Sequence, residues 1–147
     1  MRALIIDDSS IFRRRMSCLL CFLGHSVCGM AEDGVIGAEL VGMHRPDFVI
    51  LDNELAGMRG VECVSLIRLA NPGSRIILVS GGITPEEALE LSRMGTDAVL
   101  LKPISEAKLA NLLRGFSLME QFSSPGESPA LVRIEAGGSS GNSETDT

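Results

Sequence analysis

The sequence predicts an α/β protein built on a parallel sheet. Short apolar runs begin near residues 3, 26, 48, 76 and 98, and the stretches between them carry helical spacing, the alternation expected of βαβ units. The runs are continuously apolar rather than alternating, as in strands covered on both faces. Four of them end in distinctive polar residues. Ala3–Ile6 ends in Asp7-Asp8, Phe48–Leu51 in Asp52, Ile76–Val79 in Ser80, and Ala98–Leu101 in Lys102-Pro103. Ligands of a parallel sheet bind outside the carboxyl ends of its strands. Three carboxylates, a hydroxyl and an ammonium are therefore expected to converge on one small site.

The elements follow in order. The chain enters the first strand at once. The first helix is expected from Ser10 to about Leu23, with Ile11, Met16, Leu19, Leu20 and Leu23 as its apolar stripe and Gly24 as its stop. The second strand covers about Ser26–Ala31, and the second helix about Val35–His44, ending before Pro46 because the residue before proline avoids helical geometry. The third helix spans Gly60–Ala70 and closes at the turn signal Asn71-Pro72-Gly73. The fourth has the clearest start: Thr84 as N-cap, Pro85 in the first turn and Glu87 completing a capping box. Gly95 is its left-handed stop. The fifth begins after the cap Ser105 and runs to about Gln121. Residues 1–121 thus form one folded domain. Residues 122–147 read as a disordered, Ser/Gly-rich acidic tail. Ala130–Ile134 is a short apolar island within it, read as a solvated segment rather than a docked one.

A chain of 147 residues suits one domain with a proper core. No apolar run approaches the roughly 20 residues that span a bilayer, and the N-terminus lacks signal-peptide character, so a cytoplasmic location without membrane contact is expected. The net charge is −6, half of it beyond residue 121. That balance argues against nucleic-acid binding, which needs a basic surface. Cys18 and Cys21 have CxxC spacing, but no second pair or paired histidine completes a zinc set. They are expected to pack inside the first helix as small hydrophobes. His25 and His44 lie at element boundaries, away from the strand-end cluster.

The chemistry of the cluster follows from its residue types. Asp7, Asp8 and Asp52 repel one another. A hard divalent ion such as Mg²⁺, with its preference for carboxylate, water and phosphate oxygens, answers that repulsion. Lys102 suits a phosphoryl oxygen, Ser80 offers a hydroxyl donor, and Gly81-Gly82 let backbone approach a ligand. A carboxylate can accept a phosphoryl group, and Asp52, ending a central strand, is the natural nucleophile. Any one of these residues alone would read as a helix cap or surface ion pair; all four strand ends together carry the inference.

Asp7-Asp8, Leu51-Asp52 with Gly60 eight residues on, Ser80 before a short loop, and Lys102-Pro103 resemble the receiver domain of two-component response regulators, of the single-domain, chemotaxis-regulator kind. The resemblance covers about residues 1–121. It implies a doubly wound, flavodoxin-like fold with five parallel strands in the order 2-1-3-4-5. It implies that Asp52 takes a phosphoryl group from a histidine kinase or phosphotransfer protein. Asp8, Asp52 and the backbone carbonyl of Glu54 would hold Mg²⁺, with Asp7 assisting through water. Lys102 would contact the phosphoryl group, and the Lys102–Pro103 bond would be cis. Ser80 would sense the phosphoryl oxygen and shift the surface formed by the fourth helix, fifth strand and fifth helix, where an output protein would bind. The protein would be a switch rather than an enzyme, stand-alone, and a monomer or weak dimer.

Three positions depart from the family pattern. Val99 stands where a switching aromatic residue is usual. Ala56 replaces a common proline after the phosphoacceptor. Glu54 adds a carboxylate two residues past Asp52 and is expected to alter metal affinity or phosphoryl lifetime. Arg13-Arg14-Arg15 reads as a solvated basic face, with a phosphodonor docking edge as the sharper reading. Two other functions compete with the phosphoacceptor: a phosphorylation-independent pseudo-receiver, favoured by Val99 and Ala56, and a small Mg²⁺-dependent phosphatase with an aspartyl nucleophile, favoured by Glu54.

Overall fold

The computed structural model describes residues 1–122 and 133–135. Strands β1 (Arg2–Ile6), β2 (Ser26–Ala31), β3 (Phe48–Asp52), β4 (Arg75–Ser80) and β5 (Ala98–Leu101) alternate with helices α1 (Ser10–Phe22), α2 (Gly34–His44), α3 (Gly60–Ala70), α4 (Pro85–Arg93) and α5 (Glu106–Phe122). All pairings are parallel, and the first five strands run in the order β2-β1-β3-β4-β5, as expected. A short sixth strand, β6 (Arg133–Glu135), pairs with the outer edge of β5. It falls within the stretch expected to be a solvated, disordered tail, whose first residue, Phe122, ends α5; residues 123–132 and 136–147 lie outside the described residues.

Strand periodicity sorts the core into two layers. Ala3, Ile5, Phe48, Ile50, Ile77, Val79, Ala98 and Leu100 meet Met16 and Leu20 of α1 and Leu109, Leu112, Leu113 and Phe116 of α5. The alternate residues, from Leu4 to Val99, meet α2, α3 and α4. Covering both faces explains why the strand runs are continuously apolar. Full burial of each such Leu, Ile or Phe contributes roughly 1.5–3 kcal/mol.

Side chains cap the N-termini of α1, α2 and α4, Thr84 among them as expected, though the Glu87 carboxylate accepts the Thr84 hydroxyl at 3.1 Å and no capping box forms there. Ser9 Oγ accepts the Phe12 N–H at 3.1 Å, Asp33 Oδ1 accepts the Ile36 N–H at 2.8 Å, and Thr84 Oγ1 accepts the Glu87 N–H at 3.1 Å. Gly24 and Gly95 have φ of 91° and 97°, the left-handed region that glycine enters without strain. The α1 stripe needs correction. Met16 and Leu20 are buried, but Ile11 is exposed, and so are Cys18 and Cys21. The buried stripe of α1 is narrower than the apolar content of its sequence, and the cysteine pair falls outside it.

Candidate functional site

The chain runs outward from β1 to β2 and then back past β1 to β3, so β1 and β3 flank the point where the winding direction reverses. Crevices of doubly wound sheets open at that point, at the carboxyl strand ends. Asp7 follows β1 and Asp52 ends β3. Asp7, Asp8 and Asp52 each offer a carboxylate oxygen within 4.8 Å of the others.

Asp52 is 4% exposed. Its Oδ1 accepts the Glu54 backbone N–H at 3.1 Å and faces Lys102 Nζ at 3.7 Å. Lys102 reaches there from the end of β5, over the Phe12 ring at 5.2 Å, and the Lys102–Pro103 bond is cis, as expected. Both Asp52 contacts are made by Oδ1.

Asp7 is 1% exposed, and its Oδ2 has no hydrogen-bond partner. Its Oδ1 accepts the Ser9 N–H at 2.8 Å. Burial pushes the Asp7 carboxyl above its ordinary 3.8; the Ser9 amide opposes this, Asp52 adds to the rise, Lys102 opposes and Asp8 adds. A buried, unpartnered carboxylate oxygen beside two other carboxylates lacks a positive partner. A hard cation with oxygen ligands fits it by charge and donor type. The exposed Asp8 completes the cluster toward solvent.

Ser80 ends β4, and its hydroxyl donates to the Gly82 carbonyl at 2.7 Å while accepting the Gly82 N–H at 3.2 Å. The hydroxyl is thus committed to its own loop. The Glu54 carboxylate lies over the neighbouring Gly81, where a Cβ would meet its oxygens at 3.7 and 3.8 Å. Gly60 opens α3 against the residue after Asp52, and a Cβ there would displace the Asn53 side-chain amide.

Val99 is buried beneath the α2–α4 layer and carries no ring to move. Ala56 is exposed in the loop after β3, next to Gly57 with φ of 77°. Arg13 donates to the Asp7 carbonyl at 2.6 Å, which ties α1 to the site, while Arg14 and Arg15 are exposed. His25 and His44 lie at the far end of the sheet. His25 Nδ1 is 3.2 Å from the Met1 amino group, and its ring packs edge-on against Phe48. Phe12, under Lys102, was not among the expected site residues; an aromatic residue at the start of α1 is the one signal the sequence carries.

The receiver-domain profile of response regulators matches residues 3–114. The chain belongs to the response regulator receiver family. The "Probable transcriptional regulatory protein NarL" of Mycobacterium tuberculosis is 28% identical over 109 residues, covering 74% of this chain and 50% of that protein. Response regulator MprA of Mycobacterium sp. is 30% identical over 137 residues, covering 91% of this chain and 58% of that protein. The chain thus spans about half the length of these relatives. The NarL signal receiver domain superposes with a TM-score of 0.72 at 27% identity, over 79% of this chain and 95% of that one. CheY in the CheX–CheY–BeF3–Mg²⁺ complex of Borrelia burgdorferi gives 0.72 at 25% identity, over 84% and 90%.

Among the described residues, no helix is long and apolar enough to cross a membrane.

Proposed function

We propose that this receiver accepts a phosphoryl group on Asp52 from the phosphohistidine of a kinase or phosphotransfer protein, with Mg²⁺, and signals by protein–protein contact. The observation that carries the proposal is the pairing of a buried Asp52, held by Lys102 at 3.7 Å, with a carboxylate cluster containing an unpartnered buried oxygen.

Asp52 Oδ2 attacks phosphorus; the new O–P bond forms as the P–N bond to the donor imidazole breaks, and the imidazole leaves with the electron pair. Lys102 holds an equatorial oxygen, where charge accumulates in the transition state. The Ser80 hydroxyl leaves Gly82 and donates to another oxygen, which draws the β4–α4 loop inward. Asp8, Asp52 and the backbone carbonyl of Glu54 would hold Mg²⁺, with Asp7 assisting through water. When bound, the metal neutralises the carboxylates and the incoming phosphoryl oxygens. CheY in the Borrelia complex, whose composition includes BeF3 and Mg²⁺, supports this metal assignment. A groove of about 310 Å³ beside the site, lined by Phe12, Met16 and Leu19 of α1 and by Lys102, Pro103 and Ile104, is the donor's docking surface. The α4–β5–α5 face is the output surface. With Val99 in place of a ring, the signal travels through the Ser80–Gly82 loop.

The test is intact-protein mass spectrometry after incubation with acetyl phosphate and Mg²⁺. The wild type should gain one phosphoryl group, and Asp52→Ala or added chelator should abolish the gain. A folded wild type that gains nothing would overturn the proposal in favour of a phosphorylation-independent module. Turnover of phosphate esters without a donor protein would favour a phosphatase.

A further inference from the structure

Lys102 is held only loosely by its carboxylate partner. Its Nζ stands 3.7 Å from Asp52 Oδ1, beyond the roughly 2.7–2.9 Å of a charge-assisted hydrogen bond, and 34% of its side chain is exposed. Lysine is a hydrated point charge on a flexible stem, so a long ion pair of this kind leaves the ammonium several positions. The backbone end is fixed, because the Lys102 N–H donates to the Ser80 carbonyl at 2.8 Å. The free end meets an aromatic face. Nζ lies over the Phe12 ring, 5.2 Å from its centroid, within the ~6 Å at which a ring face attracts a cation.

The ring is itself fixed. Phe12 stands in the first turn of α1, and its N–H is the one that Ser9 Oγ accepts at 3.1 Å. The adjoining Arg13 guanidinium donates to the Asp7 carbonyl at 2.6 Å, which ties that turn to the end of β1. The Phe12 side chain packs on the core layer beneath α1 and α5. We propose that Phe12 is a positioning residue for phosphoryl transfer: its ring face holds the Lys102 ammonium where it meets an equatorial phosphoryl oxygen. Phe12 acts on the reaction through Lys102. The inference rests on the phosphoacceptor reading of Asp52.

The experiment uses the full chain with acetyl phosphate and Mg²⁺ and follows the rate of phosphorylation by intact-protein mass spectrometry. The bond from Asp52 to phosphorus forms as the bond to the acetate oxygen breaks, and acetate leaves with the electron pair. A small donor needs no docking surface, so its rate reports the site alone. Phe12→Leu should slow phosphorylation about fivefold. Phe12→Tyr, which keeps the ring face, should restore most of the rate. In a Lys102→Ala background, Phe12→Leu should cost nothing further, whereas a ring that only packs would slow both backgrounds alike. Lysine occurs at Lys102 and Lys108 alone, so carbon-13 lysine labelling resolves the Lys102 ε-methylene by NMR. With no donor present, the ring should shift that signal upfield in the wild type and Phe12→Tyr but not in Phe12→Leu. Three results would each overturn the proposal and leave the Asp52 reading in place: an unchanged rate in Phe12→Leu, a Phe12→Tyr protein as slow as Phe12→Leu, or an ε-methylene signal indifferent to the ring. A wild type that gains no phosphoryl group would overturn both.

Discussion

Replacing Asp7 by asparagine should stabilise the metal-free protein and remove its stabilisation by Mg²⁺. Asp7 is buried, its Oδ1 is bonded to Ser9 N, and its Oδ2 is unpartnered. Two like charges separated by 4–5 Å repel by about 3–4 kcal/mol at an effective dielectric near 20. Asp52 and Asp8 lie within that range, and Lys102 offsets much of the repulsion. A net gain of about 1–2 kcal/mol remains for Asp7→Asn, equivalent to roughly 3–6 °C in Tm for a domain of this size. Asparagine keeps the acceptor for Ser9 N and adds a donor for the neighbouring carboxylates. The assay is urea unfolding with and without Mg²⁺ at neutral pH. Wild type should gain about 1.4 kcal/mol when Mg²⁺ reaches tenfold its Kd, and the variant much less. The pH dependence has a fixed sign. Because the folded carboxyl titrates above 3.8, its contribution is most favourable below 3.8 and is lost as pH rises through the raised folded value. The metal-free wild type should therefore lose more stability than the variant on going from acid to neutral pH. A variant less stable than wild type without metal, or an undiminished Mg²⁺ response, would refute the reasoning.

Asp97→Ala should cost about 3 kcal/mol, since Asp97 Oδ2 accepts both the Ile76 N–H and Arg68 Nη2 at 2.7 Å. Asp97 lies at the opposite end of β4 from Ser80, so the Mg²⁺ response read by unfolding should be unchanged. Thiol labelling of the native protein should modify Cys18 and Cys21 rapidly. Cys63 should react only on unfolding, because it is buried and its thiol is pushed up to about 12, chiefly by burial.

Much of the fold was legible because strand and helix are encoded by local patterns. The runs at Ala3, Phe48, Ile76 and Ala98 are strands, and Thr84, Gly24 and Gly95 act where short-range backbone geometry requires them. The site was legible for a related reason. In a parallel sheet every strand ends at the same side, so residues adjacent in sequence to strand ends become adjacent in space. Asp7, Asp52 and Lys102 meet on that account, although nothing local connects them.

The less legible features depend on rotation and distance. The apolar content of α1 could not show that Ile11, Cys18 and Cys21 face solvent, because the position of the buried stripe is set by the sheet beneath it. The partnership of Phe12 with Lys102, the approach of Glu54 to Gly81, and the Arg68–Asp97 pair join segments whose separation in sequence carries no signal. A three-residue strand such as Arg133–Glu135 is too short for periodicity to show, and its pairing exists only because β5 presents unpaired backbone groups. By itself the sequence determined the alternating elements, the parallel sheet and the residues at its carboxyl end, since these follow from local propensity and strand polarity. Only the tertiary structure decided which oxygen of Asp52 faces Lys102, why Asp7 holds an unmet charge, that Ser80 is bonded to Gly82, and that Arg133–Glu135 pairs with β5. Each of these depends on distances and burial between segments far apart in the chain.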